Sequence, residues 1–197
     1  MSATGRGRKR NPRDFYRTPA WCVEALLDHE DLLPQIYDPA CGDGAILEVL
    51  QSHGHTVHGL DIHPPSALQA SQSLGVPVWV GDYLDPDRVH PPYCDVVMNP
   101  PYKLAAEFVR AALERAQPRE KICVLLRLNF LGSSRKRIDL VGPGSCLRSV
   151  LVLSRRPSFT GDGRTDASDY AFFVWEAGHK GSAEVVVLNP PKNLAAT

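Results

Sequence analysis

The sequence predicts an α/β domain built on a doubly wound, mostly parallel sheet with helices on both faces. Three observations carry that expectation. Short apolar segments alternate with amphipathic ones through most of the chain. The segment at 122–128 is apolar at every position but Arg127, as a strand buried on both faces through its middle should be. A run of small residues follows the first apolar segment, where such folds turn from strand into helix.

Thr18-Pro19 opens the first helix, expected to run to about residue 29. Thr caps it, Pro takes the first helical position, and Trp21, Ala25 and Leu26 give one apolar stripe. A connector at 32–34 leads into a short buried strand at 35–39. Residues 45–52 form a helix with Ile46, Leu47, Val49 and Leu50 apolar. A second strand at 56–62, a helix at 66–74 and a third strand at 76–80 follow. The fourth strand is 95–98, the amphipathic helix after it spans 104–116, and 122–128 is the fifth strand. Residues 149–153 and 170–175 are two more strands, and 184–188 is an edge strand. Two stretches stay irregular: 129–148, with Gly132, Gly142, Pro143 and Gly144, and 154–169, with Pro157, Gly161 and Gly163. Long loops in a compact domain are commonly functional, and both of these carry arginines.

A length of 197 residues suits one domain able to bury its core without disulfides. Residues 1–13 are expected to be a disordered basic tail and 14–197 a single catalytic domain. With 43% hydrophobic and 22% charged residues, the composition excludes global disorder. No apolar run approaches the ~20 residues of a membrane span, and the basic N-terminus lacks the apolar core of a signal peptide. No membrane association and a cytoplasmic location are expected. The cysteines (22, 41, 94, 123 and 146) are odd in number and form no C-x-x-C pair. That excludes a disulfide framework and a cysteine zinc site and predicts buried free thiols. His53, His55, His58 and His63 crowd one stretch without converging on a metal-ligand spacing, so no metal is expected.

The formal net charge of zero conceals an asymmetry. Residues 1–13 hold five basic residues and no acid. Residues 14–120 hold 6 basic and 16 acidic residues, and residues 121–197 hold 11 basic and 6 acidic. Such a pattern suggests a polyanion touched by the ends of the chain.

The segment D-P-A-C-G-D-G (Asp38, Pro39, Ala40, Cys41, Gly42, Asp43, Gly44) lets a ligand approach the backbone closely. The helix that follows offers its first amides to ligand oxygens. Asp61, at the end of the second strand, is placed to accept from ribose hydroxyls. After the third strand, Asp82 is placed to accept from an adenine amine, and Ile62 or Tyr83 to pack on the ring. The full G-x-G-x-x-G of dinucleotide sites is absent, and Asp38 would repel a pyrophosphate. An acid there suits a cationic ligand such as S-adenosylmethionine, which carries a sulfonium and an ammonium group.

Residues 38–44 resemble the cofactor motif of class I methyltransferases. Asp14-Phe15-Tyr16-Arg17-Thr18-Pro19 resembles the D-x-Y-x-T-P segment of DNA adenine methyltransferases, and Asn99-Pro100-Pro101-Tyr102 is identical to their catalytic motif. The order of these motifs and the short chain are similar to the compact adenine methyltransferases of phages and prophages, without a separate target-recognition domain. The resemblance implies a Rossmann-like sheet with an antiparallel strand near the C-terminus. It implies S-adenosylmethionine bound by Tyr16, Thr18, Pro19 and Asn99 together with the residues named above. It also implies single- or double-stranded DNA as partner, with low sequence specificity. The Asn-Pro-Pro-Tyr string is shared with RNA and protein-glutamine methyltransferases, which stand as alternatives beside a catalytically silent nucleic-acid-binding module.

An adenine amine is a poor nucleophile because its lone pair is delocalised into the ring. The side-chain oxygen of Asn99 and the carbonyl of Pro100 supply two acceptors around its hydrogens, a preorganised electrostatic device. Pro100 and Pro101 fix the backbone and remove competing donors. Tyr102 offers a stacking face to a base that must leave a duplex at a cost of a few kcal/mol; base–aromatic stacking is worth roughly 1–3 kcal/mol. The resemblance implies a second aromatic from the later loop, and Phe159 is the candidate. Arg135, Lys136, Arg137, Arg155, Arg156 and Arg164 are candidates for gripping phosphates.

Overall fold

The computed structural model describes residues 17–132, 134–160, 162–165 and 167–190. The basic tail and Tyr16 lie outside the described residues. Eight strands form one sheet: β1 (Gln35–Asp38), β2 (Thr56–Asp61), β3 (Val78–Val80), β4 (Asp95–Met98), β5 (Lys121–Arg127), β6 (Leu147–Leu153), β7 (Tyr170–Glu176) and β8 (Glu184–Leu188). Their order across the sheet is β3-β2-β1-β4-β5-β7-β6-β8. β7 pairs antiparallel with both β5 and β6, and every other pairing is parallel. The expected α/β fold, mostly parallel with an antiparallel strand near the C-terminus, is the one observed.

Alternation along the central strands splits the core in two. Cys123 and Leu125 of β5, with Phe172 and Val174 of β7, point to one face. That face is covered by α1 (Ala20–Leu27), α2 (Ala45–Ser52) and α3 (Pro64–Leu74). Ile122, Val124 and Leu126, with Phe173 and Trp175, point to the other, which α4 (Ala105–Arg115) and α5 (Ile138–Val141) cover. Burial on both faces explains why β5 is apolar from Ile122 to Leu126, between its two charged ends. Cys22, Cys41, Cys94 and Cys123 are buried and Cys146 half-buried, all as free thiols.

Two features of this topology position the site. The strand order reverses between β1 and β4, which opens a crevice at their carboxyl ends. Because β7 runs against the sheet, its first residue, Tyr170, pairs with the last residue of β5, Arg127. The loop at 154–169 therefore arrives at the same edge as the segment after β4.

The structure departs from the expected elements at several ends. The first helix begins at Ala20 and ends at Leu27. Its N-cap is Pro19, and no side chain caps it. Thr18 does not cap because its hydroxyl is engaged elsewhere, as described below. The third helix begins at Pro64, which takes the first helical position that Pro favours. The stretch 129–148 is partly ordered into 3-10 turns at Leu128–Leu131 and Arg135–Arg137 and the short α5. No described helix is long and apolar enough to cross a membrane.

Candidate active site

The ends of β1, β2 and β4 and the residues after β3 surround a cavity of roughly 900 Å³. Asp38, Asp61, Asp82 and Asn99 line it, each the last residue of a strand or within two residues of one. A parallel sheet places all its strand ends on one edge, so residues far apart in sequence converge without long loops.

The turn after β1 is tied from both sides. Both carboxylate oxygens of Asp61 accept backbone amides, from Gly42 at 2.8 Å and from His63 at 2.8 Å. Gly42 and Gly44 adopt left-handed conformations at φ 55° and 90°. A Cβ on Gly44 would also lie 3.2 Å from the Cβ of Ala70 in α3. Arg17 pairs with Asp43 and, at 2.8 Å, with Glu48, which fastens the segment before α1 to the turn and to α2. The Cys41 thiol is buried, and burial pushes its pKa upward.

Asp38 is the most perturbed acid of the cavity. Its carboxyl is 1% exposed, and Oδ1 accepts from the Ala40 amide at 3.0 Å. Burial pushes its pKa up to about 8 against the opposing Ala40 amide, and the Asp61 charge adds to the rise. Asp82 is exposed and caps its own turn, accepting from the Leu84 amide at 2.9 Å. Of the two residues expected to pack on an adenine ring, Ile62 borders the cavity at 68% exposure. Tyr83 also borders it, but its ring is buried 5.3 Å from Phe108, with the Arg115 guanidinium 4.9 Å over it. That packing removes Tyr83 as a stacking surface and leaves Ile62. Thr18, Pro39, Ala40, Cys41, Gly42 and Asp43 line the cavity as well, whereas Pro19 and Gly44 do not.

Asn99 follows β4 directly. Its Nδ2 donates to the Thr18 hydroxyl at 3.1 Å, and Thr18 is buried. A donor fixed at one end of the amide turns Oδ1 into its accepting end. Pro100 is buried, and the Pro101 carbonyl accepts from the Leu104 amide at 2.9 Å, holding the turn into α4. Thr18→Val is expected to lower kcat roughly three- to tenfold, the worth of one hydrogen bond, and to lower the melting temperature by only a few degrees. Steady-state kinetics beside a thermal scan checks it.

Tyr102 is half-buried and lies beside both core clusters. Its ring is 6.1 Å from that of Tyr170, and Phe159 lies 5.0 Å from Tyr170 on an edge. The later loop thus brings Phe159 into the aromatic group that contains Tyr102. The cations divide. Arg137 is occupied: its guanidinium lies 4.6 Å over Phe130 and donates to the carbonyls of Asn129, at 3.2 Å, and Gly132. It stitches its own loop, which removes it from the phosphate-gripping set. Arg156 pairs with Asp169 at 2.9 Å and Arg164 with Asp162 at 3.7 Å, both at the surface. Arg135, Lys136 and Arg155 are exposed.

The histidines scatter. His53 and His55 bond to the carbonyls of Val49 and Leu33, His63 to Ser66, and His58 stacks on Trp79 at 5.9 Å. Among the described residues no three His, Cys, Asp or Glu side chains group to hold a metal ion.

No known family's sequence model matches the chain, and no curated protein matches it. Many solved structures share its fold. The EcoKI M protein of a type I restriction enzyme superposes with a TM-score of 0.65 at 17% identity, covering 91% of this chain and 49% of that one. A Listeria monocytogenes chain assigned to the class I S-adenosylmethionine-dependent methyltransferases gives 0.61 at 15% identity, covering 87% and 62%. A TehB-like S-adenosylmethionine-dependent methyltransferase from Corynebacterium glutamicum gives 0.56 at 17%, covering 80% and 87%. The chain spans about half the length of the EcoKI subunit and under two thirds of the Listeria protein. At these identities the likeness is one of fold: the chain has the class I methyltransferase fold.

Proposed function

We propose that the chain is an S-adenosylmethionine-dependent methyltransferase acting on the exocyclic amine of adenine in DNA. The observation that carries this reading is the Thr18–Asn99 hydrogen bond at the rim of an acid-lined cavity. It fixes an amide with its oxygen as acceptor at the sheet edge, next to a rigid Pro-Pro turn and an aromatic ring.

The cavity suits the cofactor by charge and size. A buried acid that burial holds largely protonated is a site for a cation, which would draw out the proton. Asp38 would hold the positive end, Asp61 the ribose and Asp82 the adenine amine, with Ile62 against the ring. When bound, S-adenosylmethionine supplies an electrophilic methyl group. The protein's part is to hold the acceptor amine. Asn99 Oδ1 and the Pro100 carbonyl accept its two hydrogens and favour the pyramidal nitrogen over the planar one. Tyr102 stacks on the base once it has left its helix, and Phe159 approaches from the later loop.

In this reading the exposed Arg135, Lys136 and Arg155 contact phosphates, which position the chain without reading sequence, so binding has low sequence selectivity. Affinity for DNA should therefore fall steeply with salt. The double variant Arg135→Ala/Lys136→Ala is expected to reduce the slope of log K against log salt by about two, measured by anisotropy on a short duplex. An unchanged slope would remove this loop from the interface.

The deciding experiment incubates the protein with methyl-labelled S-adenosylmethionine and single-stranded DNA, duplex DNA or RNA, then identifies the modified nucleoside. The expected product is N6-methyladenine in DNA. Methylcytosine, label confined to protein, or adenine methylated only in RNA would overturn the reading.

A further inference from the structure

Arg127 is the last residue of β5, and its partner across the antiparallel pair is Tyr170. Its Nε donates to the Tyr170 hydroxyl at 3.2 Å, and its guanidinium carbon lies 5.1 Å over the centre of the Tyr102 ring. Tyr170 is buried, with its own ring 6.1 Å from Tyr102 and 5.0 Å from Phe159. One cation is therefore held by one tyrosine and laid on the face of another. Cation–π attraction favours this arrangement, and the planar guanidinium suits it better than a lysine ammonium.

We propose that Arg127 is the positioning residue that sets the Tyr102 ring for stacking on the target base, with Tyr170 holding Arg127 in turn. This deepens the proposed function and rests on it. Tyr102 is only half-buried, and a ring that must capture an unstacked base works best when already oriented. A guanidinium on one face fixes the ring and assigns the opposite face to the base. The sheet makes the device possible: only an antiparallel β7 starts where β5 ends, so only that strand delivers a buried hydroxyl to the tip of β5.

The test is a double-variant cycle on kcat/KM for an adenine-containing oligonucleotide, with the Kd for S-adenosylmethionine measured in parallel. Arg127→Ala is expected to lower kcat/KM roughly tenfold, the scale of a desolvated cation–π contact, while cofactor Kd stays unchanged. Arg127→Lys should recover part of the loss. In a Tyr102→Ala background, Arg127→Ala should cost little more, because Arg127 acts through that ring. Tyr170→Phe, which keeps the ring and removes the hydroxyl, should show a smaller loss with the same dependence on Tyr102. It runs the cycle on its own if Arg127→Ala does not fold.

Additive losses would show Arg127 acting independently of Tyr102, as a phosphate contact does, and would overturn the proposal alone. An unchanged kcat/KM for Arg127→Ala does the same. A wild-type chain that leaves adenine unmodified in every polymer overturns the proposed function, and the clamp falls with it.

Discussion

Asn99→Ala is expected to lower kcat by about 100- to 1,000-fold, the range found when one preorganised group facing developing charge is removed. The Kd for S-adenosylmethionine should change little. The amide oxygen is asked to accept from an amine whose hydrogens become more acidic as the nitrogen attacks. The interaction is thus stronger in the transition state than in the ground state, which places the loss in kcat rather than KM. Alanine removes the acceptor and also frees the Thr18 hydroxyl from its donor at 3.1 Å. The effects of Asn99→Ala and Thr18→Val should therefore not add: with Asn99 already gone, Thr18→Val has no amide left to misplace. Rapid-quench single-turnover assays at saturating cofactor would isolate the step. Full retained activity would remove Asn99 from the mechanism, and additive losses would detach Thr18 from Asn99.

Much of the candidate site's convergence was legible because its residues sit at strand ends. An apolar run followed by Asp38, a second by Asp61 and a third by Asn99 declare a sheet edge once the strands are recognised as parallel. What sequence alone could not show was which neighbour each side chain would choose. Thr18 before a proline reads as a helix cap, since threonine is a good one. In the structure its hydroxyl meets a residue 81 positions away, and tertiary contact overrides the local preference. Tyr83, beside Asp82, reads as a ring-stacking residue. Its burial against Phe108 and Arg115 follows from the placement of α4, which nothing local announces. Arg137 sits in a basic triplet that reads as a phosphate clamp, yet Phe130 and two loop carbonyls occupy it. Arg127 carries no local signal, because the end of an apolar strand is an ordinary place for a charge. Only the antiparallel register, which sets it opposite Tyr170, gives it a partner. A usable signal existed in the pairing of two strand ends of opposite direction, but it required knowing that direction.

Asp38→Asn should separate stability from binding. The folded chain buries this carboxyl, and burial raises its pKa to about 8, with the Asp61 charge adding to the shift and the Ala40 amide opposing it. In the unfolded chain the group titrates near the ordinary value of about 4. Well below pH 4 both states carry the proton, and the group contributes no difference. Between about pH 4 and 8 the folded state keeps a proton that the unfolded state has released. Stability of the ligand-free protein therefore falls as pH rises through that window and levels off above it, once both states are ionised. Asparagine has the same shape, retains an oxygen for the Ala40 amide and carries no charge to desolvate. The variant should melt higher than the wild type at pH 8, by on the order of 5 °C or more, and the two should converge near pH 4. Binding moves the opposite way. Without the carboxylate, a cationic cofactor loses its buried counter-charge, and affinity should drop by about two to three orders of magnitude. The wild type should bind more tightly as pH rises towards 8 and should release about one proton per cofactor bound near neutrality. The Asp38→Asn substitution should abolish both the release and the pH dependence. Calorimetric titration in buffers of differing ionisation enthalpy reads the proton directly. Equal proton release by wild type and variant would assign the proton to another group, and a variant that binds as tightly as the wild type would sink the role of Asp38 as the cofactor's counter-charge.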